Sequence, residues 1–391
     1  MLTDRIQEAL RARKLDGWLF FDHHYRDPLA YRILEIPAGL LVSRRWYYFI
    51  PAEGEPQKLV HRIETGTLNS LPGRQEVYSS WVEQQQKLHA MLKPGARIAM
   101  QYSPNCAIPY ISLVDGGTIE LVRAAAVEVV SSADLVQEFE ARLSEAQFQS
   151  HMEAAKRVDQ IRGEAFQLIG ERIRSENPIS EFEVHEFILR RFDQSGLESD
   201  HGPIVAVNAN ASDPHYAPSA ERAAHVQPGD VVLIDMFAKL SQPGSIFYDI
   251  TWTGVCGDTI PDRVQRIFEV VRDARKKATE FVIRKIGAGE HLAGFEVDDV
   301  ARGHIESQGL GEYFFHRTGH SIAVEIHGTG ANMDNLESHD ERQLVPGSCF
   351  SVEPGVYLPE FGIRSEVNMY VGDGFAKVTG EEQEQLVLMK A

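Results

Sequence analysis

Val231-Val-Leu-Ile-Asp235-Met-Phe237, followed across Leu240-Ser-Gln-Pro-Gly244-Ser by Ile246-Phe-Tyr-Asp249-Ile-Thr-Trp-Thr253, is the stretch whose reading decides the fold. Both arms are rich in β-branched and aromatic residues and suit strands. The link between them is dense in turn formers. A hairpin with its tip near Gln242 sets Asp235 directly opposite Asp249, with Cβ atoms roughly 5 Å apart on one face. Two carboxylates that close repel each other unless a proton or a cation neutralises them.

The arrangement repeats downstream. Cys349-Phe-Ser-Val-Glu353-Pro-Gly-Val-Tyr357 and Gly362-Ile-Arg-Ser-Glu366-Val-Asn-Met-Tyr370 flank Pro359-Glu360, and a turn there places Glu353 opposite Glu366. A bulge in either hairpin would shift the register by one. A single acid in a strand ordinarily faces solvent. Here each acid follows three or four mostly apolar residues, and a carboxylate buried without a partner is costly. Two carboxylate pairs together with His320 form a set suited to two divalent cations. An oxygen-rich set with one imidazole favours Mn²⁺, with Co²⁺ or Zn²⁺ as alternatives, over a thiolate zinc site.

A chain of 391 residues is long for one core and predicts two domains. Hydrophobic residues at 43% and charged residues at 25% are those of a soluble globular protein. Lys plus Arg number 39 against 57 Asp plus Glu, and the formal charge of −18 argues against nucleic acid or an anionic membrane as partner. The odd set Cys106, Cys256 and Cys349 fits reduced, buried thiols in a reducing compartment. The first residues carry no apolar signal core, and no run approaches about 18 apolar residues. A cytoplasmic location is therefore expected.

Leu2, Ile6, Leu10 and Leu15 recur near helical spacing ahead of a strand, Trp18-Leu-Phe-Phe21. Tyr47–Ile50 and Arg97–Met100 read as further strands. Residues 1–143 are thus an α/β domain without a metal or nucleophile constellation. Ser144 with Gln147, and Ser180 with Glu183, are capping boxes. They open helices running to about Ile173 and to Gly196. Pro261–Ile286, ended by Gly287, and Glu296–Gly309 are two more. Residues 144–391 are an α+β domain with the hairpins set between and after these helices.

The same residues carry a family resemblance. His215-Tyr216, Leu233-Ile-Asp235, Tyr248-Asp249-Ile-Thr251, Thr318-Gly-His320, Glu325-Ile-His327, Val352-Glu353-Pro-Gly-Val-Tyr357 and Gly362-Ile-Arg364-Ser-Glu366 run in the order seen in the pita-bread metallopeptidases. From about residue 145 to 391 the chain resembles Xaa-Pro dipeptidases (prolidases), Xaa-Pro aminopeptidases and methionine aminopeptidases. Departures are Phe237 where glycine is frequent, a longer link between Asp235 and Asp249, Ser321 after His320 and Gly328 after His327. All five ligand positions are kept.

The resemblance implies an N-terminal α/β domain, residues 1–143, that closes the pocket and dimerises. A pita-bread catalytic domain, residues 144–391, follows, with a curved antiparallel sheet backed by helices. It implies two divalent ions per subunit: Asp235 on one, Asp249 and Glu366 bridging both, His320 and Glu353 completing the second. Glu353 is the implied proton shuttle. His215 and His327 are implied hydrogen-bond donors to the oxyanion, and Arg364 is expected to orient carboxylates. Phe237, Phe247, Tyr216 and Tyr357 are candidate walls for a proline ring. His316 and His339 read as surface residues. His23 and His24, in Asp22–Asp27, form either a solvated loop or, as the resemblance implies, a segment reaching toward a partner subunit's site. The implied activity is hydrolysis of Xaa-Pro dipeptides by a homodimer. The rivals are an Xaa-Pro aminopeptidase acting on longer peptides, a small-amide hydrolase of the same fold, and a non-catalytic peptide-binding module. The creatinase-like amide hydrolases generally lack these ligands, a peptide-binding descendant would be marked by their loss, and here all are retained.

Overall fold

The computed structural model describes residues 2–390, so Met1 and Ala391, the outer limits of the two expected domains, lie outside the described residues. The chain divides into two compact units, Met1–Glu140 and Ala141–Ala391.

The first unit is built on a six-stranded sheet in the order Arg74–Tyr78, Gln57–His61, Trp46–Pro51, Gly17–Asp22, Arg97–Met100, Glu128–Ser131. Only Trp46–Pro51 runs against its neighbours. Gly17–Asp22 is buried along its whole length because both faces are covered. Trp18 and Phe20 pack with the helices Leu2–Ala12, Pro28–Ile33 and Ala133–Glu140. Leu19 and Phe21 pack with Trp81–Met91 and Gly116–Arg123 on the other side. A continuous apolar run is the signature of a strand covered on both faces. Each such side chain contributes roughly 1.5–3 kcal/mol when fully buried.

The second unit holds the site. Ser144 and Ser180 make the expected capping boxes on Glu145–Arg174 and Glu181–Gln194. These helices cover a sheet ordered Val387–Met389, Tyr248–Cys256, Val231–Leu240, Leu197–Glu198, with Ile204–Val207 also on Val231–Leu240. Asp262–Gly287 and Gly294–Ser307 cover a second group of strands, Cys349–Val352, Gly355–Tyr357, Gly362–Arg364, Val367–Val371 and Ala376–Thr379. The expected curved sheet is thus divided among separate ladders, and it is antiparallel except where Tyr248–Cys256 meets Val387–Met389.

Strand periodicity now places the acids. Val232, Ile234 and Met236, with Tyr248 and Ile250, face the first helix pair. Phe350, Val352, Val367 and Met369 face the second. Successive side chains alternate, so Asp235, Asp249, Glu353 and Glu366 all turn away from the helices.

Two expectations are corrected here. Asp249 pairs with Phe237, and Asp235 pairs with Thr251. The two acids are therefore diagonal neighbours rather than directly opposed, two residues off the expected register. Ile246 and Phe247 leave the ladder to pack with Leu143, Ile322 and Cys349, which lengthens the loop. A slip of two keeps the face. In the second hairpin the register is as expected: Leu358 N–H donates to the Phe361 carbonyl around Pro359-Glu360 (3.0 Å), and Gly355 pairs with Arg364, Val352 with Val367. Glu353 and Glu366 themselves sit where that ladder breaks. Their N–H groups donate instead to the Thr318 and Thr251 carbonyls, at 2.7 and 3.1 Å. Cys256 and Cys349 are buried as expected, whereas Cys106 is exposed.

Candidate metal centre

The break in the ladder lets Glu366 reach Asp249 and His320, and one ligand-type atom from each lies within 4.8 Å of the others. His320 arrives on a loop pinned from both sides. Thr318 donates its N–H and its hydroxyl to the buried Asp298 carboxylate, at 2.9 and 2.6 Å. Ser351 Oγ accepts from His320 N–H at 3.0 Å. Gly319 is required there, because a Cβ would lie 1.9 Å from the Ser351 carbonyl oxygen. The His320 Nδ1–H donates to the Ser321 carbonyl at 3.1 Å, which leaves Nε2 as the basic nitrogen. Nε2 stands 3.5 Å from Asp249 Oδ2 and 3.4 Å from Glu353 Oε1.

Asp235 joins this group through Arg364, whose Nη2 donates to its Oδ2 at 2.6 Å. The guanidinium also donates Nε–H to Thr251 Oγ1 (2.9 Å), and Thr251 donates its proton to Glu366 Oε2 (2.7 Å). Arg364 thus orients two carboxylates, one directly and one through a hydroxyl. Asn368 fixes the Asp249 backbone by accepting its N–H and donating to its carbonyl, at 2.9 and 2.7 Å. Ser351 donates to Glu353 Oε1 at 3.1 Å.

The donors run out before the acceptors do. Asp235 Oδ1, Asp249 Oδ1 and Glu366 Oε1 are buried and lack a hydrogen-bond partner among the described residues. Burial, which outweighs the pull of Arg364 and is aided by the Asp249 charge, pushes the Asp235 carboxyl up to about 7. Asp249 is raised well above its usual range by burial and the Glu353 charge, and Glu366 by burial and the Asp249 charge. Burial lowers the His320 pKa. Orphaned anionic oxygens beside a neutral imidazole nitrogen are the donor set a hard or borderline divalent cation takes. The residues present therefore fit metal ions.

His327 stands against His320, ring centroids 4.4 Å apart at 86°. Desolvation, then the charges of His320, Arg317, His215 and His201, lowers its pKa to about 3, so the ring is a neutral N–H donor. His215 is exposed on the loop after Asn208–Ser212. That loop is tied by the fully buried Glu181, whose carboxylate accepts from Val207 N–H (2.6 Å), Asn210 Nδ2 (2.9 Å), Tyr216 Oη (2.7 Å) and Ala224 N–H (2.8 Å).

Three candidate side chains are placed differently from expectation. His316 is half-buried and committed rather than a free surface residue: Tyr357 Oη bonds its Nε2 at 2.7 Å, and its Nδ1 bonds the Arg317 carbonyl at 2.6 Å. Arg364 Nη1 donates to the same Tyr357 oxygen at 3.0 Å, which commits Tyr357 to this chain of bonds. Phe247 is fully buried in a side cluster and offers no surface to a ligand. His339 is exposed, as expected. Thr251, Ser351 and Asn368 were reachable from the sequence, each lying two residues from an acid and hence on its strand face. His316 and Glu181 carry no such periodic signal.

Residues 149–373 match the metallopeptidase family M24. The chain belongs to that family. Among curated M24 relatives, an Xaa-Pro dipeptidase of Lactobacillus delbrueckii subsp. lactis is 34% identical over 194 residues, 49% of this chain and 48% of that one. The chain spans about half the length of the curated relatives it matches. Among solved structures, dipeptidase PepE from Mycobacterium ulcerans superposes with a TM-score of 0.73 at 22% identity, covering 100% of this chain and 97% of that one. An X-prolyl aminopeptidase from Caenorhabditis elegans, described as a cytosolic enzyme with a di-nuclear active site, gives 0.66 at 17% identity over 96% and 60%. These likenesses bear out the expected pita-bread fold class. No helix of the described residues is long and apolar enough to cross a membrane.

Proposed function

We propose that the chain is a two-metal M24 peptidase that hydrolyses Xaa-Pro dipeptides, a prolidase, working in the cytoplasm as a homodimer with Mn²⁺. The observation that carries this reading is the set of buried, donorless oxygens on Asp235, Asp249 and Glu366 beside His320 Nε2. The Xaa-Pro dipeptidase relatives support the substrate class. Asp235 would hold one ion, Asp249 and Glu366 both, and His320 with Glu353 the second. When bound, such a pair lowers the pKa of a water to the neutral range and polarises a carbonyl. Glu353, less buried than the other acids and held by Ser351, would take a proton from the attacking water and return it to the leaving nitrogen. His327, neutral and edge-on to His320, donates to the developing oxyanion, with His215 as a second donor. An Xaa-Pro bond brings no N–H of its own to satisfy.

His215→Ala and His327→Ala are expected to lower kcat by roughly 10²–10³-fold while bound metal stays at the wild-type level. His320→Ala is expected to lose metal. Elemental analysis beside steady-state kinetics separates the roles, and equal metal loss in all three variants would refute the division.

Residues 1–143 are assigned to closing the partner's pocket, and residues 144–391 to catalysis. A closed pocket excludes a third residue, so Gly-Pro is expected to be cut more than about a hundredfold faster than Gly-Pro-Ala, a larger effect than one missing apolar contact supplies. One observation favours the aminopeptidase alternative: Arg342, the first Lys or Arg after His327, is bound by Asp340 (2.6 Å) and the Thr329 carbonyl (2.6 Å) rather than available for a substrate carboxylate. Comparable kcat/KM for the two peptides would decide for that alternative.

A further inference from the structure

Two apolar patterns in the second unit are broken at the same point. The helix Asp262–Gly287 turns Val264, Phe268, Val271, Ala274, Ala278 and Val282 to the core, and Arg275 falls in the same stripe, four residues after Val271 and three before Ala278. On the strands it covers, Ile363, Val367 and Met369 join that core, and Ser365 falls in their row. The two exceptions meet: Arg275 is 0% exposed, and its Nη1 donates to the buried Ser365 Oγ at 2.8 Å. An arginine keeps its charge in a protein, and taking that charge out of water is costly.

Fastening the C-terminal segment does not account for this arginine. Its Nη2 lies 3.8 Å from Glu382 and 3.6 Å from Glu384, both exposed, and its Nε and Nη2 have no hydrogen-bond partner among the described residues. The segment is held by others. Glu381 pairs with Arg162 at 2.6 Å and Glu384 with Lys276 at 3.1 Å. The Gln383 amide accepts from Thr253 N–H and donates to the Thr253 carbonyl, at 3.0 and 2.6 Å. What Arg275 does hold is the break in the ladder. Ser365 lies between Gly362–Arg364 and Val367–Val371, and its own N–H reaches the Pro354 carbonyl only at 3.3 Å. Its neighbours on either side are Arg364 and Glu366, whose side chains alternate to the opposite face and there bind Asp235 and approach Asp249 and His320. Where ladder bonds are missing, a side-chain bond sets where the backbone sits.

We propose that Arg275 is a positioning residue for the metal centre: through Ser365 it fixes, from the helix side, the two residues that carry Arg364 and Glu366 into the site. This rests on the metal reading given above. Arg275 touches neither metal ligand nor substrate. It acts on the backbone between them, in the way that partners behind a metal's ligands orient the ligands themselves.

Titration calorimetry of Mn²⁺ into the chelator-treated full-length protein, beside thermal melting without metal, tests this. Arg275→Met fills the place with an apolar side chain, and replacing a buried ionic group in that way is often neutral or stabilising. Its metal-free melting temperature is therefore expected to stay at or above the wild-type value, while Mn²⁺ binds about 10- to 100-fold more weakly. Ser365→Ala is expected to weaken Mn²⁺ binding about as much. The double variant should lose no more than either single one, because all three remove the same bond. Melting identifies a variant that fails to fold, and the remaining variants then decide. The assignment is overturned if folded variants keep wild-type affinity for Mn²⁺, if the two losses multiply in the double variant, or if affinity falls only in step with melting temperature. A wild-type protein that binds no Mn²⁺ would instead refute the metal reading, and this assignment with it.

Discussion

Asp249→Asn and Glu366→Gln are each expected to lower kcat/KM on Gly-Pro by more than about 10³-fold, beyond the 10²–10³-fold typical of losing one oxyanion donor. The reason is that each carboxylate would serve both ions, so neutralising either one weakens the whole centre. Both side chains are buried, with one oxygen donorless, and the substitutions keep their shape while removing a charge. That separates chemistry from folding. Like charges crowd the metal-free site, with Glu353 acting on Asp249 and Asp249 on Glu366. Removing one charge should therefore leave metal-free stability unchanged or raised while activity collapses, the trade expected at a functional site. The measurements are metal content, kcat/KM across added Mn²⁺, and melting temperature after chelation. Variants that retain two ions per subunit and wild-type turnover would sink the assignment.

What could be read in advance follows from which interactions are local. The face carrying each acid follows from period-two alternation, and that survives even where register does not. The Pro359-Glu360 turn is tight, and its register is as expected. The link from Ser241 to Phe247 is loose, and Ile246 and Phe247 look like strand until a tertiary cluster with Leu143 and Ile322 draws them out of it. His316 looks like a loop histidine because its partner, Tyr357, lies 41 residues away. Glu181 follows a capping serine and reads as an ordinary first-turn acid, yet its carboxylate organises the loop of His215. Contacts of that kind leave no spacing to detect. The carboxylate centre is legible because it is made of repeated short-range patterns, and its support is largely hidden because it is made of single long-range bonds.

Arg364→Met is expected to destabilise the metal-free protein by about 3–5 kcal/mol at pH 8, the range for removing one partner of a buried charge pair. Arg364 is the guanidinium that binds Asp235 and, through Thr251, Glu366. The size of the loss should depend on pH in a definite direction. Asp235 is raised from 3.8 to about 7, and Asp249 and Glu366 are raised well above their ordinary values. An acid with a raised native pKa binds more protons folded than unfolded. Its favourable contribution is therefore complete below about pH 4 and is lost as pH rises through the native value. The metal-free wild type should lose stability between about pH 4 and pH 7, by at most about 1.4 kcal/mol per pH unit for each proton involved. At pH 5 these acids are largely protonated and need no counter-charge, so Arg364→Met should cost less there than at pH 8. Bound Mn²⁺ supplies positive charge to the same oxygens and should reduce the penalty at pH 8. Chemical denaturation at pH 5 and pH 8, with chelator or with Mn²⁺, measures all four values. A loss that is equal at both pH values and indifferent to metal would mean that Arg364 acts through packing alone, and that the carboxylates around it do not form one electrostatic unit.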